Sequence, residues 1–116
     1  DRFDGEIARA LAQEEQSRDL LQKTLLQARA ELSALVQAWQ TSARRLKIYD
    51  DNILPQATRV AAQAETAYSK GGLPLTDLLD ARRTLKTTQL EALAVRNEHA
   101  KALGTWQLRS AAPSTP

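Results

Sequence analysis

The 116 residues are enough for one domain at most, and 42% hydrophobic with 26% charged but only 4% aromatic is the composition of long packed helices, not of a large compact core. The formal net charge of +2 comes from a few uncompensated side chains instead of a basic tract, which argues against a nucleic-acid partner. Without cysteine or methionine there is no disulfide framework, thiolate nucleophile or Cys-based zinc site, and no apolar run approaches the roughly 18 residues that a membrane-spanning helix needs.

The chain opens on Asp1, carries no signal-peptide pattern, and is expected to be a piece of something longer. From Ile7, apolar positions recur at spacings of four and three: Ile7, Leu11, Leu21, Leu25, Ala28, Leu32, Leu35, Trp39, Leu46, Tyr49, Ile53, Ala57, Val60, Ala64 and Ala67. Glu14, Arg18 and Ser42 fill the missing places. Such a sustained heptad seam predicts a coiled-coil helix over about 5–69, slimmer where the seam turns alanine-rich. Pro55 removes one helical hydrogen bond and crowds the preceding turn, so Asn52-Ile-Leu-Pro-Gln-Ala57 predicts a kink in a continuous helix. The alternative is a short break after Asp50-Asp51-Asn52, which are weak helix formers.

Gly71 and Gly72, followed by Leu73 and Pro74, predict a tight turn between helices over 70–75. Lys70 on one side and Asp77 and Asp80 on the other suit the opposite dipoles of the two helix ends. Beyond the turn a second helix is expected over about 75–108. Leu75, Leu78, Leu85, Ala92, His99, Leu103 and Trp106 form one stripe, Leu79, Leu90, Leu93 and Ala100 another, so the helix should have two packing partners. The proline-bearing tail 111–116 is expected to be disordered. The fold class read from these elements is all-α, a long antiparallel helical hairpin. At 1.5 Å per residue the first helix runs about 95 Å and the second about 50 Å, so the return helix ends near Leu35. The seam from Ile7 to Leu32 is then without a partner inside the chain and should pack on other helices.

The turn and its flanks resemble the TolC family of outer-membrane efflux channels. The residues that carry the resemblance are Ala67-Tyr-Ser-Lys-Gly71, Asp77-Leu-Leu-Asp-Ala81, Leu85 and Gln89, which match that family's second periplasmic hairpin over most of this chain. Asn52-Ile-Leu-Pro-Gln-Ala57 and Phe3-Asp-Gly-Glu-Ile-Ala-Arg-Ala10 resemble the branch serving heavy-metal efflux of the resistance-nodulation-division type. The resemblance implies a homotrimer whose outer-membrane β-barrel continues as an α-helical barrel through the periplasm of a Gram-negative bacterium. This chain would supply the helical part of one half, with the membrane strands outside it. It further implies that Lys70, Gly71, Gly72, Leu73 and Pro74 form a tip meeting a periplasmic adaptor protein, which links the channel to an inner-membrane pump exporting metal ions or small molecules. Asp77 and Asp80 fall on positions of an acidic pore constriction, and Tyr68 and Arg96 on positions of closed-state links. Leu73 and Pro74 depart from the best-known relative, which has a basic residue and a threonine there.

Each of these residues also has a plainer reading. Asp77 and Asp80 are favourably placed near a helix N-terminus whatever their function. Tyr68 also reads as packing and Arg96 as an ordinary solvated or paired arginine. His99 is the one histidine, lacks companions at ligand spacing, and reads as a packing or surface residue. Arg44, Arg45 and Lys47, and Arg82, Arg83 and Lys86, read as solvated or paired helix-face charges. No catalytic set, metal site or cofactor-binding motif can be assembled from one hairpin. The competing function is a self-contained coiled-coil interaction module, including the adaptor hairpin itself, whose usual arginine-leucine-serine tip pattern is absent around Gly71 and Gly72. A membrane-surface helix is disfavoured because the polar faces mix both signs.

Overall fold

The computed structural model describes residues 1–111, and all but Ala111 of the tail predicted to be disordered lies outside them. Every regular element among the described residues is helical: α1 (Arg2–Ile48), a π-helical turn (Tyr49–Ile53), α2 (Leu54–Ser69) and α3 (Leu75–Ser110). Asp1 caps α1, accepting the Phe3 N–H on its carboxylate and the Gly5 N–H on its carbonyl, as expected of an aspartate at this position.

The chain divides into two compact units, Asp1–Leu35 and a second beginning at Val36. In the first, residues 1–34 are all exposed, the seam leucines included. Arg18 pairs with Glu14 at 2.9 Å along the helix.

The second unit is a helical hairpin. Its antiparallel sense is read from four cross-helix contacts at mirror positions about the turn: Arg82 with Glu65, Arg96 with Asp50, Arg45 with Glu98, and Trp106 stacked on Trp39. The core on α3 is the strict run Leu78, Ala81, Leu85, Thr88, Ala92, Val95, His99, Ala102 and Trp106, at alternating steps of three and four. Leu78 is 1% exposed and Val95 2%. Three of these positions escape a reading by hydrophobicity, since Ala81 and Ala102 are small and Thr88 is polar. Val95 escapes a stripe counted at steps of seven, which passes from Ala92 to His99 without stopping between them. Leu75, placed in the stripe by sequence, is half exposed, and Leu79, Leu90 and Leu93 form an exposed second stripe.

Around Pro55 the chain neither breaks nor continues as a regular α-helix. It widens into the π turn, in which the Leu54 N–H donates to the Tyr49 carbonyl five residues back. Pro55 then sits in the first turn of α2, where a missing N–H costs nothing. A π turn accommodates one residue more than an α-helix would, and the covered positions show it. Tyr49, Ile53, Ala57 and Ala61 follow at three successive steps of four before the seam resumes at Ala64. The seam is therefore displaced by one residue: Val60, expected inside, is 49% exposed, and Ala61 takes its place at 6%.

Candidate functional site

The turn is built by a helix cap that glycine alone satisfies without strain. Ser69 ends α2, Lys70 caps it, and Gly71 follows with φ of 75° in the left-handed region. The Gly71 N–H donates to the Tyr68 carbonyl at 3.0 Å and the Gly72 N–H to the Ala67 carbonyl at 2.8 Å. These paired bonds define a Schellman motif and satisfy carbonyls that the helix end would otherwise leave open. Only Gly71 needs its residue type for backbone reasons. A Cβ on Gly72 would meet the Ala67 carbonyl oxygen at 3.6 Å, an ordinary contact.

Pro74 restarts the chain as the N-cap of α3, with φ −63° and ψ 150°. Its carbonyl accepts the Asp77 N–H at 3.1 Å and the Leu78 N–H at 3.2 Å. Proline thus sits one position earlier than the first helical residue, holding the extended conformation of a cap. Leu78, the most buried side chain, anchors α3 directly behind it, and Leu73 is half-buried. Lys70, Gly71, Gly72 and Pro74 are exposed, so the turn presents one positive charge and a backbone held by hydrogen bonds at both ends.

Asp77 and Asp80 lie one turn apart near the start of α3 and are both exposed. Asp80 is offset by Arg83 at 3.3 Å. Two carboxylates on one edge beside a helix N-terminus attract cations, and the helix dipole eases their mutual repulsion.

Tyr68 and Arg96 are not brought together. Tyr68 lies exposed in the last turn of α2, whereas Arg96 donates to Asp50 in the π turn at 3.1 Å. At 1.5 Å per residue, Asp50 is about 27 Å along the helix from Tyr68. The closest guanidinium chemistry to the turn belongs instead to Arg82, which forks onto Glu65 through Nε and, at 3.0 Å, through Nη2. The hydrogen bond from Arg82 holds Glu65 below the usual glutamate range. Arg82 is raised in turn, first by that bond and last by a smaller electrostatic contribution from Tyr68. Away from the turn, Tyr49 Oη donates to Glu91 at 3.3 Å, and Lys47 on α1 donates to Asp51 at 2.8 Å, which raises the lysine. The π turn is thereby tied down by Tyr49, Asp50 and Asp51.

Sequence reasoning missed Glu65, Asp50, Glu91 and Glu98 as partners. The available signal was charge opposite charge at mirror distances from the turn, which becomes readable once the turn is fixed. Among the described residues, no three His, Cys, Asp or Glu side chains converge as metal ligands, and no helix is long and apolar enough to cross a membrane.

Residues 1–110 match the family model described as outer membrane efflux protein. No curated protein and no solved structure matches the chain.

Proposed function

The chain belongs to the outer membrane efflux protein family, and from that premise we propose that it forms the periplasmic helical part of a TolC-like channel in a tripartite system exporting metal ions or small molecules. Three copies of the parent protein close the α-barrel, and the turn at residues 70–74 is the end that meets the periplasmic adaptor of an inner-membrane pump. The observation that carries this reading is the turn itself. Its backbone is hydrogen-bonded at both ends, and Lys70, Gly71, Gly72 and Pro74 are exposed. A preformed backbone loses little freedom on docking, which favours a protein contact made by a short segment.

Asp77 and Asp80, repeated about a three-fold axis, supply the carboxylate ring of the pore constriction. A ring of like charges in a narrow aperture attracts cations and strains the closed state through mutual repulsion. Arg83 tempers Asp80 within each copy. Tyr68, one turn behind the tip, and Arg96, bound to Asp50, act as closed-state links, with the Arg96–Asp50 pair setting how α3 lies on the π turn.

Since the chain has no native cysteine, one placed at Lys70, Leu73 or Pro74 in the membrane-embedded parent channel gives a crosslinking site that is unique within this segment. Crosslinks to the adaptor are expected from these positions, and failure at all three overturns docking by the tip. In planar bilayers, Asp77→Asn with Asp80→Asn should lower cation selectivity, and unchanged currents would remove the constriction role.

A further inference from the structure

We propose that Arg82 is the positioning residue of the constriction: its fork onto Glu65 fixes the roll of α3 behind the turn, and with it the bearing of Asp77 and Asp80 about the helix axis. This rests on the reading of those two carboxylates as the pore constriction, and it names the side chain outside the ring on which their setting depends.

Core packing alone holds that roll weakly. Between residues 57 and 67 the covered positions of α2 are Ala57, Ala61, Ala64 and Ala67, alanine throughout. Alanine lets two helix backbones approach closely but offers no long side chain to lodge in the facing helix, so a turn of α3 about its own axis meets little resistance there. Leu78 is the one large side chain buried to 1% behind the turn, and a single knob fixes position better than angle. Arg82 supplies the missing angular constraint, because its guanidinium donates to both carboxylate oxygens of Glu65, through Nε and, at 3.0 Å, through Nη2. A planar fork of this kind fixes direction as well as distance, which a lysine ammonium does not.

The fork belongs to a pattern. Arg82 and Arg96 stand fourteen residues apart, two heptads, on one flank of the α3 core, while their acceptors Glu65 and Asp50 stand fifteen apart. The odd residue is the one that the π turn accommodates, so both arginines meet their carboxylates in register. The opposite flank of α3 carries the reverse chemistry, with Glu91 and Glu98 accepting from Tyr49 and Arg45. Of these four links Arg82–Glu65 lies nearest the turn, and Asp77 and Asp80 lie within five residues of Arg82 on the same helix. At about 100° per residue they stand roughly 140° and 160° round α3 from Arg82, so holding that arginine against Glu65 sets the bearing of both carboxylates.

The test compares Arg82→Lys and Arg82→Gln with Asp77→Asn plus Asp80→Asn in the membrane-embedded parent channel, reading cation over anion permeability in planar bilayers. Arg82→Lys keeps the charge and loses the fork, so its selectivity should fall toward that of the double asparagine channel. Arg82→Gln removes a cation near the ring, which by charge alone raises cation selectivity, whereas loss of positioning lowers it. In the 116-residue chain, Arg82→Lys and Glu65→Gln should be non-additive in urea unfolding. Both variants should keep the wild-type helicity, because the two side chains are 54% and 46% exposed and such pairs add little to stability. Wild-type selectivity in Arg82→Lys, or a rise in Arg82→Gln, reduces Arg82 to a charge effect and overturns the proposal while the constriction stands. Additive unfolding effects mean that the fork does not couple the helices, and overturn it as well. Unchanged currents in the double asparagine channel remove the constriction and this inference with it.

Discussion

Replacing Gly71 by alanine tests the turn at its single conformational demand. Gly71 holds φ at 75°, and a side chain there brings Cβ against the neighbouring backbone at a cost of about 1–2 kcal/mol. Nothing else is disturbed, because the space around that Cβ is empty to 4 Å. For a unit of this size, roughly 1 kcal/mol displaces the melting temperature by about 4–8 °C, so Gly71→Ala should melt roughly 4–16 °C below the wild type. Gly72→Ala is the internal control. It has an ordinary backbone conformation and a 3.6 Å contact, and loses only unfolded-state freedom, so it should match or exceed the wild type by about 0.4–1 kcal/mol. Gly71→Asn should fall between, since asparagine tolerates the left-handed region better than alanine. Far-UV circular dichroism melts at one fixed protein concentration read all three. If Gly71→Ala melts with the wild type, or Gly72→Ala is the more damaged, the capped turn does not organise the hairpin as described.

Leu78→Ala should cost about 2–5 kcal/mol in the same melts, because the most buried side chain stands immediately behind the turn and leaves a cavity that two helices fill poorly. Trp39→Phe should cost little or even stabilise: the ring still stacks on Trp106, at 5.9 Å in the wild type, while the buried Nε1–H, which has no acceptor, is removed. Trp39→Ala loses the stack, worth about 0.5–1.5 kcal/mol beyond its area, and the comparison of the two melts checks this. Glu65 is held below its ordinary value of 4.5, so its contribution is present above that pH and disappears as pH falls through the lowered value. Acid titration of helicity should therefore show the wild type losing its advantage over Glu65→Gln on the acid side of 4.5, and a constant difference would contradict the pairing.

The all-α hairpin was legible because its determinants are local or periodic. Two glycines and a proline can be placed only at a turn, and a stripe at steps of three and four can serve only a helix. The cross-helix pairs were less so. Asp50, Glu65, Glu91 and Glu98 look like any exposed acids until the turn fixes which residue faces which, and even then geometry separates Arg82 as the partner of Glu65 from Arg83, which reaches Asp80. The cap at Gly71 follows from residue type, yet its asymmetry with Gly72 does not: adjacent glycines are identical in sequence and differ only in backbone angle. Asp77 and Asp80 are legible as a pair one turn apart, while the assembly that would set them around an axis is not encoded in either residue. Val60 and Ala61 were exchanged for a reason that periodicity conceals. Tyr49, Ile53 and Ala57 already contain two consecutive steps of four, one residue too many for an uninterrupted heptad, and that surplus announced the widened turn.

That surplus works as a phase shifter. Because the π turn absorbs one residue without ending the helix, the apolar stripe upstream of Tyr49 and the one downstream of Ile53 are written in different frames, each internally consistent. Removing one residue within 49–53 would close the widened turn to an ordinary α-helix and leave Ala61 inside and Trp39 facing Trp106, whereas a second deletion has no surplus to draw on and would rotate everything toward the tip by about 100°. The segment thus buffers the tip face against one change in length, independently of the chemistry displayed on it.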